Sequence, residues 1–423
     1  MILVSRRAAD RLQQAGNWGQ VVVRRNTVEE FGAVTGVSTH DGSVLPVPLE
    51  PTDHVLTRVD GTVHGMWYRV DPFLHVLWLQ TRARSGTALN LDVFKESLKG
   101  GFRIPGPDPY IALTCAHQPE AAFPGLNLPD IVAWAVSRDG AQPLIAQVEA
   151  PTTGIAQLQE HWPVSELQDA HVALVGTGSI GSAAAHALAG YGIGRLTLID
   201  PDRLAWHNLI RHTSASRQVG RLKVNALTEE LTAKYPDTRF RGHPWDVLAH
   251  ADHLRSLLPN TNLIVCAADG VAPRRVISHL TRRAGRTAVL ACVLQDGAIG
   301  EILRLRPWAE HGCLVCRRNA LRHANSLDPE PDLDAGYGTG TRHRPMTAIG
   351  SDLHLVGQFA AKAAVATILE GFGQTDQRLP GEHALIALRR QPDCAPPFDL
   401  QRTGEVRWLP ATPPEPHCPT CGV

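Results

Sequence analysis

One stretch constrains this chain more than any other: "VALVGTGSIGSAAAHALAGYGIGRLTLID", residues 172–200. It reads as strand, glycine turn, helix, strand and carboxylate. Gly176, Gly178 and Gly181 form G-x-G-x-x-G between the first strand and the helix. The first glycine permits the tight turn, the second lets a phosphate approach the backbone, and the third packs helix against strand. The helix N-terminus adds free N–H donors and a positive dipole end. Asp200 closes the second strand, where a ribose hydroxyl of a nucleotide would sit. This motif serves NAD and ATP equally well.

The same rhythm continues from residue 171 onward. "GRLKVNALTEELTAKY" reads as a helix, "NLIVCAAD" as a strand, "VAPRRVISHLTRRAG" as a helix and "TAVLACVL" as a strand. Near-continuous apolar strands alternating with helices predict an α/β fold, Rossmann-like, with a mostly parallel sheet covered on both faces. Ligands of such sheets sit outside the carboxyl ends of the strands. Residues 1–150 have a different flavour, α+β: "QVVVRR" and "LHVLWLQTR" read as strands, "NLDVFKESLKGG" as a short helix and "RIPGPDP" as a loop. "APTTG", residues 150–154, reads as the linker, so the domains are expected at 1–150 and 151–423. Two domains also suit 423 residues.

The residues after Asp200 separate ATP from NAD. "DPDRLAWHNLIRHTSASRQVGRLK" sets Asn208, Arg211 and Lys223 just beyond the nucleotide pocket. Hydride transfer has no need of such cations. Attack on the α-phosphate of ATP gathers negative charge on phosphoryl oxygens and on leaving pyrophosphate, and fixed cations stabilise it. Asp269 ends "NLIVCAAD" at the same crevice and suits magnesium, which takes one or two protein carboxylates. N-capping of the next helix is its competing role. Arg274, five residues on, is placed to pin that carboxylate or to contact phosphate.

These motifs, in order and at these spacings, resemble the ThiF/MoeB superfamily, the adenylating fold of ubiquitin-activating enzymes. The resemblance covers residues 156–369 and the final cysteines. It implies that ATP and the C-terminal carboxylate of a small β-grasp protein, ubiquitin-like or sulfur-carrier, give an acyl-adenylate and pyrophosphate. By position it implies that Gly176, Gly178 and Gly181 line the phosphates and that Asp200 holds the ribose. Asn208, Arg211 and Lys223 would surround the phosphates, and Asp269 would hold magnesium. The resemblance further implies a homodimer and, in some settings, a conjugating enzyme as partner. A bacterial ubiquitin-like conjugation pathway, with antiphage defence as one setting, is suggested by analogy of architecture alone. A peptide-adenylating enzyme of ribosomal-peptide modification is a close rival, and an NAD-dependent oxidoreductase is a rival of another class.

Eight cysteines complete the inventory. Cys313-Leu-Val-Cys316 and Cys418-Pro-Thr-Cys421 are two C-x-x-C knuckles able to close a tetrahedral zinc site. Relatives in the superfamily also carry an acyl-accepting cysteine in the loop before the last large helix. Here that loop, residues 332–346, has none. Cys266 and Cys292 sit in apolar strand runs, where a thiol is expected to be buried and inert. Cys394, in "RRQPDCAPPF", is left as the thioester candidate. The segment before the first nucleotide strand, "TTGIAQLQEHWPVSELQDAH", also lacks the arginine that relatives extend into a partner's site.

Within residues 1–150, "HVLWLQTRARSGTALNLDVFKES" has a faint resemblance to a JAB/MPN isopeptidase core. Its metal motif is absent: "QTRA" replaces H-x-H-P, only Asp92 matches, and Arg82 has no lone pair to give. The resemblance implies an inactive domain that serves dimerisation or partner binding. Lysine plus arginine equals aspartate plus glutamate, 41 each, so no global charge points to nucleic acid or membrane. The longest apolar helix, residues 348–372, carries Asp352, Lys362 and Glu370, which argues against a span. The N-terminus reads as no signal peptide, and the paired cysteines suit a cytoplasmic metal protein.

Overall fold

The computed structural model describes residues 1–28, 30–40, 42, 44–46, 61–84, 86–150, 154–326 and 348–422. Two compact units, Met1–Thr153 and Gly154–Val423, divide within "APTTG". The long loop of residues 332–346 lies outside the described residues.

The first unit holds strands β1 (Ile2–Val4), β2 (Trp18–Asn26), β3 (Phe31–Ser38), β4 (Val44–Pro46), β5 (Gly61–Arg69), β6 (Tyr110–Cys115), β7 (Ile131–Ser137), β8 (Gly140–Leu144) and β9 (Ala146–Val148). Its helices are α1 (Arg6–Gln14), α2 (Phe73–Ala83), α3 (Leu91–Glu96) and α4 (Pro119–Ala122). The strands form one mixed sheet in the order β8-β7-β6-β5-β2-β3-β1-β9, with β4 beside β3. Side chains alternate across it, as pleating requires. Trp67 joins Val21, Val23 and Leu12 of α1 in one core, and its neighbour Tyr68 joins Trp134, Leu74 and Phe94 in another.

"LHVLWLQTR" is not a strand but most of α2. The run is apolar at nearly every position, which leaves its period ambiguous. Asp71 settles it locally, its carboxylate accepting the Phe73 N–H at 3.0 Å, and Leu74 and Trp78 then share one buried face at i, i+4. His75 on the same helix is fully buried. Its Nδ1 donates to the Pro129 carbonyl at 2.7 Å, and its Nε2 accepts from Thr114, which in turn accepts from Trp134. Asp92 and Arg82 are exposed, and the Arg82 guanidinium lies over the Trp78 ring. Among the described residues no group of metal-ligating side chains forms in this unit.

The second unit adds α5 (Val164–Asp169), β10 (His171–Val175), α6 (Ser179–Gly190), β11 (Arg195–Ile199), α7 (Lys223–Lys234), β12 (Arg239–His243), α8 (Ala251–Leu257), β13 (Leu263–Cys266), α9 (Val271–Arg283) and β14 (Thr287–Leu294). Then come β15 (Ile299–Leu305), α10 (Leu314–His323), α11 (Gly350–Gly371), β16 (His383–Ala387) and β17 (Val406–Leu409). The sheet order is β12-β11-β10-β13-β14-β15-β16-β17. The first five strands run parallel, as the strand–helix rhythm predicts. The last three extend the sheet antiparallel, beyond what the strand–helix rhythm predicts. Strand order reverses between β10 and β13, so a crevice opens outside their carboxyl ends. The alanine-rich α11 covers this sheet and crosses α6 closely: a Cβ at Gly357 would sit 2.3 Å from the Ile180 carbonyl oxygen. Among the described residues no helix is long and apolar enough to cross a membrane.

Candidate adenylation site and metal centre

The glycine turn succeeds β10 at the reversal point. Gly176 has φ +84°, and a Cβ there would lie 2.5 Å from the Ala268 backbone nitrogen beyond β13. A Cβ at Gly181 would fall 1.8 Å from the Gly176 carbonyl oxygen, so α6 is drawn tight against the turn. A Cβ at Gly178 would meet only open space, which leaves the first N–H groups of α6 accessible.

Asp200, at the end of β11, is only 6% exposed. Its two oxygens accept the Thr177 N–H (2.7 Å) and the Asp202 N–H (2.9 Å), which shapes both the turn and the segment beyond it. Burial raises its carboxyl above the ordinary value, and Lys223 opposes that rise. Lys223 opens α7 and is 9% exposed, with Nζ 2.8 Å from Asp202 Oδ2. Burial disfavours its charge, but Asp200, Asp202 and Asp269 outweigh burial and the ammonium pKa is raised. Asp202 is a member of the site that sequence reasoning passes over. Its only signal is its place two residues after Asp200, on the turn that Asp200 organises.

Asp269 lies just past β13. Its side chain reaches solvent, yet the protein around it raises its carboxyl, while Lys223 and Arg211 pull the other way. The structure thus brings Asp200, Asp202, Lys223, Arg211 and Asp269 into one electrostatic group. Asn208 is used locally: its Oδ1 accepts the Ala205 N–H at 2.9 Å. Arg274 donates to the Gly270 carbonyl and to the Cys292 sulfur.

Two histidines hold the Arg211 segment in place. His212 is buried, with Nε2 2.7 Å from the Thr177 carbonyl oxygen, while its Nδ1 accepts the Ser214 N–H. It is therefore neutral, with its proton on Nε2. His354 of α11 donates to the Arg211 carbonyl at 2.7 Å. Burial lowers His212 to about 4, and it does the same to His75. Between pH 6.5 and 4 the unfolded chain takes up protons that these folded histidines refuse. Stability is then complete above about pH 6.5 and falls as the pH drops through that window, by up to roughly 3 kcal/mol for each histidine. A urea midpoint that stays level between pH 7 and pH 4.5 would contradict this.

The four knuckle cysteines converge at the start of α10. Cys313 Sγ lies 3.9 Å from Cys316 Sγ and 3.5 Å from Cys418 Sγ, and Cys316 Sγ lies 3.8 Å from Cys421 Sγ. A tetrahedral zinc with bonds of about 2.3 Å needs sulfur–sulfur edges of about 3.8 Å, so the donor set fits. Backbone N–H groups of Cys313 and Glu415 also donate to Cys421 and Cys316 sulfurs. Among the described residues this is the group of metal-ligating side chains that forms.

Cys266 is fully buried, and burial pushes its thiol up to about 11. Cys292, expected to be equally inert, is partly exposed and hydrogen-bonded to charged groups. Cys394 is half-buried, and burial with Asp393 and Asp399 raises its thiol.

The ThiF family model matches residues 154–385. Ubiquitin-like modifier-activating enzyme 5 of Rattus norvegicus is 28% identical over 155 residues, 34% of this chain and 38% of that one. Adenylyltransferase and sulfurtransferase uba4 of Aspergillus niger is 33% identical over 136 residues, 31% of this chain and 27% of that one. The chain thus spans well under half the length of these curated relatives. Escherichia coli MccB with AMPCPP and MccA aligns with TM-score 0.45 and 18% identity, over 61% of this chain and 68% of that one.

Proposed function

Because this chain belongs to the ThiF family, we propose that it adenylates the C-terminal carboxylate of a ubiquitin-like or sulfur-carrier protein with ATP. One observation carries the reading: a buried lysine, Lys223, set among Asp200, Asp202 and Asp269 at the crevice where the glycine turn opens. A hydride-transfer site has no use for that ammonium, whereas displacement at a phosphate does. The names of the two curated relatives support the carrier class.

The chemistry needs no general base, since the attacking carboxylate is already ionised at neutral pH. Gly178 leaves room for phosphates against the N-terminus of α6. The remaining lone pairs of Asp200 suit a ribose hydroxyl. Lys223 and Arg211 stabilise charge on the α-phosphate and on departing pyrophosphate, Arg by a forked grip and Lys as a point charge. Asp269, open to solvent in a cationic surround, would hold magnesium, which supplies further neutralisation of the phosphates. Positioning and charge account for the rate.

The test is ATP–pyrophosphate exchange with the purified chain. Small β-grasp proteins ending in glycine are the first substrates, with free peptides and NAD(H)-dependent reduction as comparison arms. Exchange driven by a β-grasp protein is the expected result. Exchange driven only by a peptide, or nicotinamide turnover without exchange, would replace this reading.

A further inference from the structure

A cleft of about 750 Å³ opens between the end of β15, the loop joining α11 to β16, and the tail beyond β17. It lies at the opposite end of the sheet from the glycine turn. β14 pairs Leu294 with Ile299 and Ala288 with Leu305, so β15 ends where the parallel strands begin. That length of strand sets the cleft on the order of 20 Å from the nucleotide crevice. Behind the cleft is a chamber of about 10 Å³, room for one water-sized group. The chamber shares Arg304, His311 and Glu382 with the cleft and is lined in addition by Arg317.

Four arginines and two glutamates line the two spaces. Two of the arginines and both glutamates neutralise one another in a closed ring. Arg304 meets Glu370 at 2.9 Å and Glu382 at 2.6 Å, while Arg306 meets Glu382 at 3.1 Å and pairs with Glu370 as well. Arg317 and Arg378 are left without a carboxylate. Arg317 follows the knuckle cysteine Cys316 on α10, and its Nη1 donates to Thr412 Oγ1 at 3.2 Å. Its Nε is buried and has no hydrogen-bond partner among the described residues. Burial pulls the Arg317 pKa below the ordinary arginine value, and Glu301 opposes that fall. Glu301 is itself gripped by Arg318 through two hydrogen bonds of 2.7 and 2.5 Å. A buried charge without its own counterion is costly, and a guanidinium cannot shed its proton. Arg378 is exposed at the cleft and forms no ion pair among the described residues.

The wall of the cleft is held in place before any ligand arrives. Arg282 Nη1 donates to the carbonyls of Arg306, Trp308 and His311 at 3.1, 2.7 and 2.8 Å. The Arg306 guanidinium lies 4.3 Å from the Trp308 ring centre, and the His311 ring meets Trp308 at 5.0 Å. Trp308, Leu379 and Pro380 give the cleft an apolar lip.

We propose that this cleft binds a doubly charged oxyanion of the phosphate class, held by Arg317 from the inner chamber and by Arg378 from the rim. Two uncompensated positive charges call for a dianion rather than a single carboxylate. The guanidinium fork matches phosphate oxygens two at a time, and the chamber has room for one of those oxygens. The apolar lip suits the organic part of a phosphate monoester, while free phosphate offers the same oxygens without it. The adenylation chemistry gives this end of the sheet no part, so the site stands apart from that reading.

The experiment follows hydrogen–deuterium exchange of the full chain by mass spectrometry in inorganic phosphate, in phenyl phosphate and in benzoate. Each is compared with chloride at equal ionic strength. The expected result is that both phosphates slow exchange in peptides covering residues 304–312 and 371–382. Affinity should fall roughly tenfold in Arg378→Gln and further in Arg317→Gln. Arg378 is exposed, so its variant keeps the fold whatever becomes of the other. Tighter binding of phenyl phosphate identifies an organic phosphate as the occupant, binding no tighter than inorganic phosphate identifies the free ion, and either supports the site. Benzoate binding as tightly as the phosphates, slowing confined to the glycine turn, no slowing at all, or unchanged affinity in Arg378→Gln overturns the proposal. Pyrophosphate exchange tests the adenylation reading separately, so neither failure can be taken for the other.

Discussion

Replacing Asp269 with Asn is expected to cut carrier-dependent ATP–pyrophosphate exchange about a thousandfold, roughly 4 kcal/mol of lost transition-state stabilisation. Asp269 reaches solvent, as Asp202 does, and faces Lys223 and Arg211. Asn keeps the shape but gives up the charge that a divalent cation requires. The thermal midpoint should move by no more than a few degrees, since a solvent-reaching side chain contributes little to folding. Lys223→Ala should lose exchange to a similar degree, but with a lower midpoint, because Asp200 and Asp202 would then face each other without their cation. Exchange at the unaltered rate in Asp269→Asn would remove this carboxylate from the chemistry.

The second large effect concerns the knuckles. Elemental analysis is expected to find one zinc per chain, and Cys316→Ser should reduce it below a tenth. Structural zinc sites contribute about 10 kcal/mol or more of binding free energy at neutral pH, and that energy is folding energy. Loss of the ion should lower the thermal midpoint by well over ten degrees, and a strong chelator should reproduce the shift. The consequence reaches beyond the tail. Cys313 and Cys316 begin α10, and α10 carries the Arg318 that holds Glu301. A metal-free chain should therefore also lose order around β15. Purified protein without zinc at an unchanged midpoint would defeat the assignment.

The two halves of the second unit differ in how much of them the sequence announces. Most of the parallel half is readable because β10, β11, β13 and β14 are short apolar runs, with one strong turn to anchor the register, whereas the charged β12, Arg239–His243, gives no such signal. Gly176 and Gly181 declare themselves because a Cβ has nowhere to go. β15 and β16 are buried throughout but carry Glu301, Arg304 and His383, and β17 is short and partly exposed, so none of them reads as the apolar run of a buried strand. In the first unit the α2 run misleads because apolar residues fill it too densely to display a period. Asp202 and His212 are invisible for a different reason. Each works through a partner far off in sequence or through the backbone of the glycine turn, and no residue type or spacing advertises that. Cys292 defeats a reading from strand context, which speaks only of burial. Its character comes from Arg274, 18 residues away, and from the cross-strand Glu301.

The eight-stranded sheet has two free edges, and both are poor templates for a further strand. β12 is five residues long and shows two exposed arginines, Arg239 and Arg241. β17 is four residues long, and Arg407 is tied down there by Asp399 and Glu405. Short, charged edges resist edge-to-edge aggregation. A second copy of the chain is thus discouraged from extending this sheet, and any symmetric assembly of this unit is left to build on its helices and loops.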